Sequence, residues 1–305
     1  MPAVFFLSDY GLVDEFAGVV HAVVQRLAPG VPVIDLTHQV PVFDVAAGAR
    51  VLERALPHLG PGVVLAVVDP GVGSDRRGVA VELDTGTGPR WMVGPDNGLL
   101  LPAAGLLGGP RRAVVLEGVS TFDGRDVFAP AAAHLVGGGR PEALGRAVEV
   151  GTLVALPDRR PEASVSDGVV STWVTWVDGY GNVQLAGSCG MWEEAGVVLG
   201  TTALIGLGPS PGGGRDSARQ VPARQVPARQ VPARPVPADP VPARHVPADP
   251  VPARRVPAFS SLAPGEFGLV LDSNGHHALV LDRDSAASRL GDPVPGTGVW
   301  VRLEG

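Results

Sequence analysis

Residues 63–77 read VVLAVVDPGVGSDRR. The run from Val63 to Val68 is apolar and rich in β-branched side chains, which suits a strand buried on both faces, and it stops at Asp69. Pro70 holds Asp69 extended, while Gly71 and Gly73 let the backbone turn tightly and approach a ligand closely. The reading then folds Arg76 and Arg77 back toward the carboxylate. A guanidinium there favours the ionised acid and can itself orient an anion or a polar group. A plain salt-bridged surface turn fits the same stretch, and the spacing is not the GxGxxG of a dinucleotide site.

Outward from this strand the first 160 residues keep one rhythm. AVFFL at 3–7 reads as a strand, EFAGVVHAVVQRL at 15–27 as an amphipathic helix, VPVID at 31–35 as a strand and VAAGARVLERALPHL at 45–59 as a helix. Alternation of this kind predicts an α/β domain with a mainly parallel sheet. Ligands of such sheets bind beyond the carboxyl ends of the strands, so the polar strand ends Asp9, Asp35, His38 and Asp69 are candidates. From about residue 165 the texture changes to VVSTWVTWVDGYGNVQL, GLVLDSNGHHALVL and GVWVRLE, alternating segments broken by Gly, Asn and Asp. These predict a small all-β, barrel-like second domain. The expected division is 1–160, a linker at 161–168, and 169–305.

Within the second domain residues 219–258 form eight pentapeptides of the type RQVPA. A proline every fifth residue excludes helix interiors and central strands, so an extended, disordered insertion is predicted over about 211–258. It reads as an expanded loop between two strands, which costs little entropy, rather than as a docking tract.

Composition removes whole classes of chemistry. All 24 basic residues are arginine, so a Walker-type phosphate loop, a pyridoxal Schiff base and a lysine nucleophile are excluded. The single cysteine, Cys189, supports neither an internal disulfide nor a cysteine-rich zinc site. A net charge of −7 gives no reason to expect nucleic acid. No apolar run approaches the roughly 20 residues of a membrane span, and the start MPAVFFLSDYG lacks a basic n-region, so the expectation is a cytoplasmic protein with no membrane partner.

Further polar stretches could carry chemistry. In SDYGLVDEF (8–16), Asp9 and Asp14 flank a glycine turn that opens a helix, where paired carboxylates can hold a diol or cap the helix. GPDNGLL (94–100) is a strong turn signal containing Asn97. In TFDGRDVFAPAAAHL (121–135), Asp123, Arg125 and Asp126 precede a short alanine-rich helix carrying His134. VDGYGNVQL (177–185) puts Tyr180 and Asn182 on a loop suited to a planar base, or on a plain hairpin turn.

Taken together, SDYG with Asp14, DLTHQVPVFDV, VVDPGVGSDRR, GPDNGLL, TFDGRDVFAPAAAHL and DGYGN resemble, in order and spacing, the S-adenosyl-L-methionine hydroxide adenosyltransferase family, related to the microbial fluorinase and chlorinase. The resemblance covers nearly all of the first domain and thinly the second. It implies an α/β domain followed by a small β-barrel, a homotrimer, and a substrate bound between the first domain of one subunit and the second domain of its neighbour. The arginine-only basic set with abundant Ala, Val, Gly and Pro suggests a GC-rich bacterial genome. The implied reaction is attack of water or hydroxide on the ribose C5′ of S-adenosylmethionine, releasing methionine and adenosine, with no cofactor and no metal. By resemblance, Asp69, Arg76 and His134 hold the nucleophile. Asp9 binds the ribose hydroxyls, Asp14 is a second acidic site residue, Phe43 and Asn97 line the site, and Tyr180, Asn182, Ser273 and Asn274 meet the rest of the substrate.

The leaving group departs as a neutral thioether, so what the reaction needs is an oriented nucleophile in line with C5′. An arginine should hold Asp69 below its reference pKa of about 3.9, which makes His134, near about 6.5, the expected proton acceptor. Asp69 also argues for water over halide, since a carboxylate beside the nucleophile repels an anion, and the connection DTGTGPRW (84–91) lacks the long insertion of the fluorinase. Two departures touch the substrate contacts: VQLAG after Asn182 where the family carries a Thr-Asn pair, and Phe43 in place of the halogenases' tryptophan. The alternatives are a halogenase, a non-catalytic adenosine or S-adenosylmethionine binding module, and a metal-dependent phosphohydrolase. The last lacks any compact ligand spacing such as HExxH.

Overall fold

All six residues of AVFFLS, Ala3–Ser8, are buried, which a strand achieves only when both faces of its sheet are covered. In the computed structural model, which describes residues 1–118, 120–156, 162–208 and 249–304, this is strand β1 of a seven-stranded sheet. After β1 come helix α1 (Phe16–Leu27), β2 (Val33–Thr37), α2 (Val45–Ala55), β3 (Gly62–Val67), β4 (Gly78–Leu83), β5 (Pro89–Pro95), α3 (Leu101–Leu106), β6 (Pro110–Leu116), α4 (Ala129–Val136) and β7 (Gly145–Val148). The strand order is β2-β1-β3-β5-β4-β6-β7. Strands β2, β1, β3 and β5 are parallel neighbours, and β4 and β7 run against the rest.

Helices α1 and α4 pack together on one face, closing a core that includes Val4 and Phe6 of β1, Leu65 and Val67 of β3, and Phe128. Helices α2 and α3 pack against each other. Asp44 caps α2 by accepting from the Ala47 N–H at 2.9 Å. The register pairs Ser8 with Val67, so the carboxyl ends of β1 and β3 lie side by side and bring the segments carrying Asp9 and Asp69 to one edge.

The chain divides into compact units Met1–Asp158 and Arg159–Gly305. The second contains β8 (Ser164–Ser166), β9 (Val169–Val177), β10 (Val183–Leu185), helix α5 (Cys189–Glu194), β11 (Thr202–Leu207), β12 (Val251–Arg255), β13 (Phe267–Leu271), β14 (His277–Leu281), helix α6 (Ala286–Arg289) and β15 (Gly298–Leu303). Seven strands close into a barrel in the order β10-β14-β13-β12-β11-β15-β9, sealed by the β9–β10 pairing, and β8 flanks β9. Alternate residues such as Val170, Val174, Ile205, Leu269, Leu279 and Val301 fill its interior. The fold is thus an α/β domain and an all-β barrel.

Two segments differ from the sequence reading. Strand β8 already begins inside the expected linker 161–168. The end of the pentapeptide tract, Val251–Arg255, is not loop but barrel strand β12, antiparallel to β11 and parallel to β13. Its proline is tolerated for a geometric reason. The Arg255 N–H donates to Thr201 O, so by strand alternation Pro252 faces β13, where pairing starts only at Ala253 and no ladder donor is missing. The part of the predicted insertion before residue 249 lies outside the described residues.

Candidate active site

Asp69 emerges from the end of β3 with a side chain 6% exposed, and Gly71 donates its N–H to Oδ1 at 3.1 Å. Arg76 returns over it: Nε donates to Asp69 Oδ1 at 3.1 Å, and Nη2 donates to Asp69 Oδ2 and also to Asp123 Oδ2 at 2.7 Å. Asp123 is buried as well and accepts the Ser120 N–H at 2.7 Å through Oδ1. One guanidinium therefore clamps two buried carboxylates, and its carbon stands 5.3 Å from the centroid of the Phe128 ring. Formal charges leave the cluster at −1.

Burial raises the Asp69 pKa. The charge and hydrogen bonds of Arg76 and the Gly71 N–H pull it down, and the charge of Asp123 adds to the rise, so the net direction is up. The sequence reading expected the reverse from the arginine alone. Tyr10 joins the same spot. A Cβ on Gly124 would stand 2.0 Å from its hydroxyl, so glycine is required there. Burial, then the charges of Asp9, Asp69 and Asp123, raise the Tyr10 pKa, which keeps the phenol a neutral donor.

Arg77 does not follow Arg76. It turns away to Asp96, with Nε 2.7 Å from Oδ2, and donates to the Thr152 carbonyl at 2.6 Å. Asn97 spends its amide on the scaffold: Nδ2 donates to Val68 O at 2.8 Å, and the Leu99 N–H donates to its Oδ1 at 3.2 Å. It fixes the strand end that presents Asp69.

Asp9, half-buried, has its pKa raised by burial against the pull of the Phe43 backbone N–H, which donates to Oδ2 at 2.8 Å. Phe43 has φ 64° and is 58% exposed. Asp14 is exposed in the loop before α1.

In the barrel unit Asp178 organises the DGYGN loop, accepting the N–H groups of Tyr180 and Asn182 through Oδ1 at 2.9 and 3.0 Å and the Asn182 amide through Oδ2 at 2.8 Å. This leaves Tyr180 83% exposed. Ser273 and Asn274 sit exposed on the β13–β14 turn, whose shape Asp272 sets by accepting the N–H groups of Asn274 and His276.

Comparison with known proteins places this geometry. The family described as "SAM hydroxide adenosyltransferase N-terminal domain" matches residues 4–145. A protein of Salinispora tropica named (R)-S-adenosyl-L-methionine hydrolase is 49% identical over 202 residues, covering 63% of this chain and 74% of that protein. The chain belongs to the SAM hydroxide adenosyltransferase family. A fluorinase from an Actinoplanes species is 28% identical over 205 residues, 58% of this chain and 68% of its own length. The crystal structure of a conserved protein from Thermotoga maritima superposes with a TM-score of 0.76 at 26% identity, covering 98% of this chain and 99% of that one.

Within this SAM hydroxide adenosyltransferase fold the geometry separates the residues expected to hold the nucleophile. Asp69 and Arg76 are brought together, whereas His134 sits in the last turn of α4, its Nε2 2.9 Å from the Arg140 carbonyl and its ring against Gly139. It lies six residues beyond Phe128, about 9 Å further along the helix axis. The third member of the cluster is Asp123, from the same TFDGRD stretch, and Tyr10 is the fourth. Both stand in motifs visible in the sequence, and only the packing of residues 122–128 against Tyr10 and Arg76 selects them.

Proposed function

We propose that this chain hydrolyses S-adenosyl-L-methionine to adenosine and L-methionine at the Asp69–Arg76–Asp123 cluster. The observation that carries the reading is one arginine between two buried carboxylates with a net charge of −1. That charge favours the sulfonium cation of the substrate and disfavours a halide ion at the attacking position, where Arg76 and Tyr10 supply donors to orient water. Asp69, with its pKa raised by burial, is the proton acceptor. A water oxygen forms the bond to C5′, the C5′–S bond breaks with its electron pair going to sulfur, methionine leaves as a neutral thioether, and the water proton passes to Asp69.

The remaining assignments are supported by the motif resemblance, and those of Asp9 and Asn97 also by their hydrogen bonds. Asp9 holds the ribose hydroxyls, Phe43 packs on the substrate beside it, and Asn97 positions Asp69 through Val68. Asp14, Tyr180, Asn182, Ser273 and Asn274 complete substrate binding from exposed loops. The same reading takes the working molecule as a cytoplasmic homotrimer with sites at subunit interfaces. Its support is the apolar rim of the loops after β1 and β2, where Leu12, Val13, Val42 and Phe43 are 69%, 97%, 69% and 58% exposed. Light scattering on the purified protein should give three chains per particle.

The deciding experiment supplies each sulfonium epimer separately, in halide-free buffer and then with fluoride or chloride, and identifies the products by chromatography and mass. The relative's name specifies the R epimer, and the expected result is adenosine plus methionine from it, unaffected by halide. A 5′-halogenated nucleoside, or substrate binding without turnover, would overturn the proposal.

A further inference from the structure

At the other end of the polar strand-end series, three side chains from three segments converge. His21 Nε2, from α1, lies 2.7 Å from Asp35 Oδ1 on β2, and His38 Nε2 lies 3.0 Å from the same oxygen. The ligand atoms of all three fall within 4.8 Å of one another. His38 is 4% exposed, yet its Nε2 has no partner in hydrogen-bond geometry: the Asp35 oxygen is close but off the nitrogen's axis. A buried imidazole nitrogen aimed past a carboxylate is costly if left so.

The other ring nitrogen is held. His38 Nδ1 is 2.8 Å from Ser8 Oγ, and with the proton on Nδ1 donating to that oxygen, Nε2 presents its lone pair to the cluster. A second polar group fixing the rear nitrogen is the usual support of a metal-binding histidine. Phe6 backs both rings, edge-on to His38 at 4.6 Å and tilted to His21 at 6.0 Å, which keeps their far sides dry. The His21 and Asp35 side chains are 32% and 45% exposed, so the outer side is open to water.

We propose that His21, Asp35 and His38 form a binding site for a zinc-like divalent transition ion, with water completing its coordination. Two imidazoles and one carboxylate suit such an ion, while calcium or magnesium would demand more oxygen ligands. Metal–ligand bonds are about 2.0–2.2 Å, and with the three ligand atoms within 4.8 Å of one another the two partly solvent-exposed side chains, His21 and Asp35, are the ones free to close onto an ion held by His38. The site is built separately from the Asp69 cluster and joins α1 to the edge strand β2.

The test uses the full chain stripped with EDTA and titrated with zinc chloride alone, read by calorimetry and by metal content after desalting, at a pH where histidine is neutral. One zinc per chain is expected for the wild type and for His58→Ala, an exposed control, with loss in both His21→Ala and Asp35→Asn. His21 is half-buried and Asp35 exposed, and metal-free melting curves matching the wild type show that both variants fold. Zinc should raise the melting temperature of the wild type and leave that of the two variants unmoved. Binding below one ion per chain, or one ion retained in either variant, overturns the proposal.

Discussion

The carboxylate of Asp9 holds the backbone of Phe43 in a left-handed conformation, accepting its N–H at 2.8 Å while the ring stands in solvent at φ 64°. A bulky residue at positive φ stores strain, of order 1–2 kcal/mol. Phe43→Gly removes the strain and the ring together. The expected outcome is a melting temperature near that of the wild type, because relief of strain offsets the added freedom of the unfolded chain. Loss of an aromatic contact worth about 0.5–1.5 kcal/mol should lower kcat/KM about 2- to 10-fold, seen in steady-state kinetics with S-adenosylmethionine.

Asp69→Asn keeps the shape of the clamp and removes the proton acceptor. Turnover should fall about 10²- to 10⁴-fold, measured as adenosine released, with the variant still binding substrate.

His134→Ala tests the residue that the geometry sets apart. The histidine contributes one hydrogen bond to the Arg140 carbonyl, so the variant should lose about 0.5–1.5 kcal/mol in denaturant unfolding and keep its turnover. A loss of activity comparable to Asp69→Asn would return His134 to the reaction.

The raised pKa values of Asp69 and Asp9 fix the sign of two pH effects. Activity needs ionised Asp69, so kcat should fall on acidification with a midpoint above the ordinary carboxylate value of about 3.9, with no inflection near the histidine value of about 6.5. For stability the sign is opposite. The folded state holds these protons to higher pH than the unfolded chain does, so the stability they contribute is complete below the unfolded value and is lost as pH rises through the folded one. Comparing melting curves of wild type and Asp69→Asn across that interval should show a shallower dependence in the variant.

Arg76→Ala leaves two carboxylates buried without their shared cation; their side chains are 6% and 5% exposed. A loss of about 3–5 kcal/mol in unfolding free energy is expected.

The sequence made the strands legible because buried parallel strands read as unbroken apolar runs, and α1, expected over 15–27, spans Phe16–Leu27. Asp69 was legible too, as the polar end of such a run. The choice between His134 and Asp123 was not. Both follow the same motif, and which faces Arg76 depends on a widened helical turn over Gly124–Phe128 that no periodicity signals. Nor could spacing predict which way each of two adjacent arginines turns. Asp35 and His38 were legible as a polar strand end, but that His21 joins them was not, for a related reason: the three come from a helix, a strand and a loop that only the fold brings together.

Strand β12 is the last VPAR of a series that recurs at 221–224, 226–229, 231–234 and 241–244. Replication slippage in such a tract gains or loses five residues at a time. Deleting upstream copies leaves the stave sequence intact, whereas erasing the last copy brings up Val246-Pro247-Ala248-Asp249, which keeps the proline and alanine but puts an aspartate where Arg254 pairs with Glu266. The barrel strand is therefore buffered against gain or loss of the upstream copies, and only the last copy is tied to the fold.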